Sequence, residues 1–169
     1  MNKSRSEHLA FLLQKAGYRE APPGERADLL LFNTCAVRDH AVHKAISVIN
    51  GYIAGYRGGD LPVVVVFGCL AELIREELVR RVPAVRVVAG TRNIDDIPRL
   101  IRESEGRRAP VLSFNAAATD PFREPGYRRK PGLSTFLPVT YGCDNFCSYC
   151  VVPYTTGRQT SKSLNLIRQ

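Results

Sequence analysis

Val63-Val64-Val65-Val66-Phe67 sets the fold class of this chain, because it is a continuous apolar run closed by Gly68-Cys69. A run without polar alternation predicts a strand that is buried on both faces, as the strands of parallel sheets are. The spacing of apolar side chains then predicts a helix over 70–81. A buried strand that leads directly into a helix is the repeating unit of an α/β fold.

The same unit recurs on both sides of this strand. Short apolar runs predict two further strands and amphipathic spacing predicts three further helices, with strands at 29–32 and 85–89 and helices at 4–16, 39–56 and 95–104. The first helix opens with a capping-box pattern, Ser4-x-x-Glu7, and Gly17 is its predicted end. The alternation predicts a doubly wound parallel sheet with helices on both faces. Because such a domain normally begins with a strand, we expect this one to lack its first strand.

Composition divides the chain into three segments. Residues 1–105 carry the α/β pattern, whereas residues 106–132 are rich in Pro, Gly and Arg, which predicts an irregular linker. A second unit occupies residues 133–169. Within it, 135–140 predicts a strand that leads directly into a group of cysteines.

Composition also narrows the class of protein. The apolar runs are all shorter than the roughly 18 residues of a membrane-spanning helix, so we expect a cytoplasmic protein with no membrane partner. The five cysteines are an odd number, whereas a disulfide scaffold normally has an even number.

The net charge is unevenly distributed, since residues 107–169 carry 9 basic and 3 acidic side chains and hold most of the net charge of +8. This part would attract a polyanion such as RNA, although solvated surface arginine explains the same charge.

The strongest functional signal is Cys143-Asp144-Asn145-Phe146-Cys147-Ser148-Tyr149-Cys150, with the spacing C-x3-C-x2-C. Three thiolates on one short loop can hold three corners of a [4Fe–4S] cluster and leave the fourth iron open to a small molecule. Zinc is the main competitor, but structural zinc takes four protein ligands. The histidines lie far upstream, at His8, His40 and His43. Three unrelated buried thiols are the plain alternative.

Other polar side chains carry weaker predictions. We expect Tyr149 to flank the bound cofactor, and Asp144 and Asn145 to shape the turn of the loop. His40 and His43 fall on a predicted helix and are expected to be solvated. The side chains that could contact RNA phosphates, or only water, are Arg38, Arg128, Arg129, Lys130 and Arg158.

Three motifs, in order along the chain, resemble those of one family. They are Asn33-Thr34-Cys35-Ala36-Val37-Arg38, Gly68-Cys69-Leu70-Ala71-Glu72, and the segment from Tyr141 to Tyr154 with Gly157-Arg158 and Ser161 after it. Through them the chain resembles the radical S-adenosylmethionine tRNA methylthiotransferases along essentially its whole length. The fold that this resemblance implies is an N-terminal α/β domain followed by the beginning of a radical S-adenosylmethionine (β/α) barrel.

The resemblance implies two [4Fe–4S] clusters. The cysteines of the C-x3-C-x2-C loop match the ligands of the cluster that binds S-adenosylmethionine. Cys35 and Cys69 match two of the three ligands of a second cluster, although by themselves they would be structural about as often as not. The family's third ligand lies in a Gly-Cys-Gln-Met-Asn stretch, of which Met1-Asn2 resembles only the end. We therefore expect that ligand to be missing, through a late start codon or a truncated gene.

The implied activity is addition of a methylthio group to C2 of N6-isopentenyladenosine at tRNA position 37. In the family, the open cluster reduces S-adenosylmethionine to a 5′-deoxyadenosyl radical, the second cluster delivers sulfur, and another S-adenosylmethionine supplies the methyl group. The implied partners are the tRNA anticodon stem-loop and an electron donor such as flavodoxin or ferredoxin, with the chain a monomer. Sister branches act on threonylcarbamoyladenosine in tRNA or on a ribosomal protein.

Two readings of other classes stay open. The chain could be a non-catalytic truncated fragment or an iron–sulfur binding module without turnover, because the family's full barrel and RNA-binding domain do not fit before Gln169. It could also be a zinc-binding RNA module. Iron and sulfide content after reconstitution would separate the zinc reading from the other two.

Overall fold

A computed structural model describes residues 2–36, 39–56, 61–114, 122 and 137–167. Parallel strands form a sheet in the order β1-β2-β3-β4, with β1 Leu29–Thr34, β2 Val63–Gly68, β3 Val85–Ala89 and β4 Val111–Ser113. The helices that alternate with these strands are α1 Asn2–Lys15, α2 Asp39–Ala54, α3 Cys69–Arg81 and α4 Ile97–Ser104. A short 3₁₀ turn, Ile94–Asp96, precedes α4. The predicted α/β fold with a parallel sheet is confirmed.

Helices cover both faces of the sheet, as the apolar runs predicted. On one face, Val65 and Phe67 of β2 pack with Leu9 of α1 and Ile101 of α4. On the other face, the alternate side chains of β2 pack with α2 and α3, and the buried members of that cluster include Val64, Val66, Ile49, Leu70 and Leu78. A strand whose successive side chains enter two cores has no polar face, which explains the unbroken valine run.

The end of the first helix is as predicted, and its beginning is not. Gly17 has φ 93, its N–H donates to the Gln14 carbonyl at 3.1 Å, and the Tyr18 N–H donates to the Leu13 carbonyl at 3.0 Å. This bond pattern is a Schellman cap, for which glycine supplies the left-handed residue. The helix begins at Asn2, however, so Ser4 lies inside its first turns and the predicted capping box is wrong. The helix therefore begins before its predicted start, and Arg5 in its first turns is buried.

The structure differs from the expected irregular linker at β4. This strand pairs in parallel with β3 through Val87↔Val111 and Ala89↔Ser113. Three residues are too short for a recognisable pattern, so the strand depends on the exposed edge of β3 for its formation. The remaining linker positions 115–121 and 123–132 lie outside the described residues, and the proposed domain boundaries stay a prediction.

The last described segment, 137–167, contains short elements. They are β5 Thr140–Tyr141, α5 Val152–Thr156, β6 Thr160–Ser161 and α6 Leu164–Ile167. β5 and β6 pair in antiparallel fashion, and the first residues of the strand predicted at 135–140 lie outside the description. The beginning of a parallel barrel therefore stays an expectation. In the described part of the chain, the helices are too short or too polar to cross a membrane.

Candidate functional site

The predicted ligand cysteines lie on one loop, residues 142–151, which connects β5 to α5 and is called the cysteine loop below. The Cys143 N–H donates to the Gly157 carbonyl at 3.2 Å, and the Cys150 N–H donates to the Cys147 carbonyl at 3.0 Å. Cys143 and Cys150 are half-buried and Cys147 is exposed, and all are free thiols. One loop therefore carries three free thiols, with no disulfide among them.

Gly142 allows the two ends of the cysteine loop to cross closely. It has φ 73, and a Cβ at this position would lie 2.2 Å from the Arg158 carbonyl oxygen and 2.4 Å from that of Gly157. Both the conformation and the contact exclude a side chain. Within the loop, Phe146 also has a positive φ of 46, which costs about 1–3 kcal/mol for a non-glycine residue. Such strain is typical of loops that hold a functional group.

Polar and aromatic contacts hold the loop in shape. Asp144 accepts a hydrogen bond from the Gln159 N–H at 3.0 Å and lies 3.6 Å from the Arg158 guanidinium, in agreement with the expected loop-shaping role. Phe146 packs edge-to-face against Tyr154 at 5.9 Å, and the Arg158 guanidinium lies over its ring at 5.4 Å. Tyr149 is 89% exposed, so it is accessible to a ligand beside Cys150.

Hydrogen bonds from α1 and from the turn after β3 hold the residues on either side of the cysteine loop. Arg5 of α1 donates from Nε to the Tyr141 hydroxyl at 2.6 Å and from Nη2 to the Thr91 carbonyl at 2.8 Å. The Thr91 hydroxyl donates to the Thr155 carbonyl. Sequence reasoning missed this set of contacts. The available signal was a charged residue four positions before Leu9, on the apolar side of a predicted helix.

Cys35 and Cys69 lie next to each other at the ends of two neighbouring strands, β1 and β2. They directly follow Thr34 and Gly68, which are register partners in the β1–β2 ladder, and the Thr34 hydroxyl donates to the Phe67 carbonyl at 2.7 Å. Gly68 has φ 101, and a Cβ there would lie 2.5 Å from the Thr34 carbonyl oxygen. Both cysteines are half-buried at the carboxyl edge of the sheet, where α3 also packs against α5. This is the edge at which doubly wound sheets place their ligands.

The cysteine loop offers thiols to a metal centre, and thiols are the ligand type of iron–sulfur clusters. Among the described residues, no three cysteine, histidine or carboxylate side chains converge on one point that would hold a metal ion. A [4Fe–4S] cluster makes a different demand, because each thiolate binds a different iron at a separate corner. Three thiols on one loop match the number of protein ligands that a cluster with an open iron takes, whereas tetrahedral structural zinc takes four.

No described contact joins a histidine to the cysteine loop. His8 Nε2 lies 2.6 Å from Asp95 Oδ1, which joins α1 to the 3₁₀ turn. His43 is exposed, in agreement with the expectation of a solvated side chain. The side chain of His40 lies outside the described set, as do Arg38, Arg128, Arg129 and Lys130.

Comparison with known proteins assigns the chain to a family. Residues 1–90, more than half of the chain, match the family described as uncharacterized protein family UPF0004. The chain belongs to the UPF0004 family. The matched residues include Cys35 and Cys69 together with the strands that carry them, whereas the cysteine loop of this UPF0004 chain follows the matched segment.

Relatives of this UPF0004 chain extend the likeness across the cysteine loop. It is 40% identical to a tRNA-2-methylthio-N(6)-dimethylallyladenosine synthase of Syntrophomonas wolfei, over 100% of the chain and 38% of the relative. It is 41% identical to the protein of that name in Geobacter metallireducens and 38% identical to that in Erythrobacter litoralis, over 96% and 99% of the chain respectively. The chain therefore spans well under half the length of these relatives, 37% of each of the last two.

A cavity of about 360 Å³ adjoins the cysteine loop of the UPF0004 chain. It lies between the first turns of α3, the turn after β3 and the segment from α5 to Arg158. Its charged lining consists of Glu72, Arg75, Arg92 and Arg158, and its aromatic lining consists of Phe114 and Tyr154. The sequence analysis singled out Arg158 among these side chains and did not anticipate the cavity.

Proposed function

We propose that this UPF0004 chain belongs to a radical S-adenosylmethionine enzyme that adds a methylthio group to C2 of N6-isopentenyladenosine 37 in tRNA. The observation that carries the proposal is the cysteine loop, with three free thiols on one strained turn, in a chain aligned over its whole length with tRNA methylthiolation enzymes. The cysteine pattern supports the cofactor, and the names of the relatives support the substrate.

In this proposal Cys143, Cys147 and Cys150 hold a [4Fe–4S] cluster with an open iron for S-adenosylmethionine. When bound, the cluster and S-adenosylmethionine supply the radical chemistry that activates an unreactive C–H bond. The chain supplies position. Gly142 lets the loop ends cross, and Tyr149 offers an exposed aromatic edge to the bound cofactor.

Cys35 and Cys69 are proposed as ligands of the second cluster, the source of sulfur. Their support is structural, because they occupy adjacent strand ends at the edge of the sheet where α3 packs against α5. Two thiolates do not complete such a site, so a further ligand is required. The proposed partners are the tRNA anticodon stem-loop and a flavodoxin or ferredoxin, and the proposed setting is a monomer in the cytoplasm.

Iron and sulfide analysis after anaerobic reconstitution tests the proposal. Cys147→Ala removes one thiolate of the loop, and we expect it to lose about four iron atoms per chain relative to the wild type. Ser148→Ala is the matched control at the next position and should keep the wild-type iron content. Unchanged iron and visible absorbance in Cys147→Ala would refute the cluster assignment.

The same samples distinguish the competing functions. If the chain belongs to a radical S-adenosylmethionine enzyme, we expect added S-adenosylmethionine to change the electron paramagnetic resonance spectrum of the reduced cluster, because the cofactor would bind the open iron. A cluster that forms and ignores S-adenosylmethionine would identify an iron–sulfur module without turnover. A colourless protein that binds zinc would identify the zinc module.

A further inference from the structure

We propose that Thr91 is a positioning residue that holds the cysteine loop in place relative to Cys69, the first residue of α3. Thr91 lies two residues after the end of β3 and is 3% exposed. Its N–H, its carbonyl and its hydroxyl are each bonded to a different segment of the chain. The inference rests on the proposed function in one respect, because that function requires the cysteine loop and the pair at the strand ends to serve one reaction.

The N–H of Thr91 is bonded to the helix that begins with Cys69. It donates to Glu72 Oε2 at 3.2 Å, and Glu72 lies in the first turn of α3. Gly90 gives this carboxylate its room, because a Cβ at residue 90 would overlap Glu72 Oε2. The other oxygen, Oε1, accepts from Arg75 Nη2 at 3.0 Å. A carboxylate that is 13% exposed and bonded through both oxygens has one position, so Thr91 is tied to the start of α3.

The hydroxyl of Thr91 is bonded to the C-terminal side of the cysteine loop. It donates to the carbonyl of Thr155, a buried residue of α5. The N–H and the hydroxyl of Thr155 both donate to the Val151 carbonyl, at 3.1 and 3.2 Å. Val151 directly follows Cys150. One turn of α5 therefore connects Thr91 to the last cysteine of the loop.

The carbonyl of Thr91 is bonded to the N-terminal side of the cysteine loop through one side chain. It accepts from Arg5 Nη2 at 2.8 Å, and Arg5 Nε donates to the Tyr141 hydroxyl at 2.6 Å. Tyr141 lies two residues before Cys143. Thr91 is therefore connected to both ends of the cysteine loop and to the first turn of α3.

The hydroxyl is the part of this network that depends on the residue type at position 91. The bonds to Glu72 and Arg5 use the backbone of residue 91 and would persist in any non-proline residue, whereas the bond to Thr155 needs a hydroxyl donor. Because buried hydrogen bonds that share one residue are coupled, a double-mutant cycle measures how far one bond depends on another.

Thiol labelling of the metal-free, full 169-residue chain tests the role of the hydroxyl under native conditions. Cys150 is half-buried, and Cys147 is exposed and serves as the reference within the same loop. Thr91→Val removes the hydroxyl at nearly constant volume. We expect it to speed the labelling of Cys150 relative to Cys147 roughly fivefold, the factor by which loss of one buried hydrogen bond shifts a local opening equilibrium. Thr91→Ser keeps a hydroxyl and should restore the wild-type rate.

Ser104→Ala is the matched control for these variants. Ser104 is as buried as Thr91, at 3% exposed, and its hydroxyl donates to the Ile101 carbonyl at 2.7 Å. This bond lies within α4, so its loss removes a buried hydroxyl without touching the network of Thr91. Ser104→Ala should leave the relative labelling rate of Cys150 unchanged, whatever it does to the stability of the whole chain.

Glu72→Ala tests whether the connection extends to α3. The described hydrogen bonds of Glu72 join it to Arg75 and Thr91, and none joins it to the cysteine loop. Its loss should still speed the labelling of Cys150, because Thr91 is then released from α3. In the double variant with Thr91→Val, the increase should be smaller than the product of the two single increases, since both changes break one connection. An increase equal to that product would show that Thr91 does not connect α3 to the loop.

The outcomes separate this inference from the proposed function, because the labelled chain carries no metal. If Thr91→Val labels Cys150 no faster than Ser104→Ala does, or if Thr91→Ser labels it as fast as Thr91→Val, the positioning role is wrong and the cluster proposal is unaffected. If labelling responds as expected while the reconstituted chain binds no iron, Thr91 holds the loop and the proposed function fails. Should Glu72→Ala fail to fold, the comparison of the residue 91 variants with Ser104→Ala still decides the role of the hydroxyl.

Discussion

Arg5 and Tyr141 are joined by a 2.6 Å hydrogen bond across 136 residues of sequence. Arg5 is only 8% exposed, and in the described part of the chain its hydrogen-bond acceptors are a phenol and the Thr91 carbonyl rather than a carboxylate. A buried cation with neutral acceptors is stable only while all of them are in place. Tyr141 is the last residue before the cysteine loop, so the first helix of the chain helps to position a site at its far end.

Tyr141→Phe tests this link by removing the hydroxyl and keeping the ring. We expect it to lower the free energy of unfolding by about 1–3 kcal/mol, because the buried Arg5 Nε–H loses its acceptor. Tyr154→Phe is the matched control, since that ring is 70% exposed, and it should cost under about 0.5 kcal/mol. Urea unfolding followed by circular dichroism measures both. Equal losses in the two variants would show that the Arg5 contact does not hold the loop.

Gly142 provides a second test, because another glycine shares its conformation without its contacts. Gly142 has φ 73, and backbone oxygens lie 2.2 and 2.4 Å from the position that a Cβ would take, whereas Gly106 has φ 71 and nothing within 4 Å of that position. Gly106→Ala should cost about 1–2 kcal/mol for the left-handed conformation alone. Gly142→Ala should cost clearly more and also reduce the iron bound after reconstitution.

The comparison of these two variants isolates the close crossing of the loop ends. Thermal unfolding gives the stability of each, and iron analysis gives the state of the cysteine loop. If Gly142→Ala loses no more stability than Gly106→Ala and binds the same iron, the crossing of Gly142 under residues 157 and 158 is not needed for the site.

The elements that the sequence predicts are those with strong local patterns. The valine run of β2 is apolar because both of its faces are buried, and the Gly17 cap is set by one glycine, so each carries its own signal. β4 carries none, because its three residues become a strand only beside β3. For the site, the cysteine spacing is local and was predicted. The Arg5 contact and the cavity bring together residues distant in sequence, so the first helix segment indicates a charged residue on its apolar side but not the partner of that residue.

Leu9 provides a third test, which asks whether α1 is part of the folded core. Leu9 is buried between β2 and α4, so Leu9→Ala should lower the free energy of unfolding by about 2–5 kcal/mol through lost burial and a cavity. Leu61→Ala is the matched control, because Leu61 is exposed just before β2. Urea unfolding measures both variants. A loss in Leu9→Ala as small as that in Leu61→Ala would mean that α1 packs loosely and cannot position Arg5.

Gly68 provides the last test, at the strand ends that carry Cys35 and Cys69. Gly68→Ala would place a methyl carbon 2.5 Å from the Thr34 carbonyl oxygen and force a residue with φ 101 to carry a side chain, so the two strand ends must separate. Gly24→Ala is the matched control, since Gly24 has φ 87 with nothing within 4 Å. We expect the thiols of Cys35 and Cys69 to react faster with a thiol reagent in Gly68→Ala, because both are half-buried in the native packing. Mass spectrometry of the labelled peptides gives the rate for each cysteine, and the cysteine loop supplies an internal reference. Labelling rates that match those of Gly24→Ala would show that the β1–β2 register does not protect this pair.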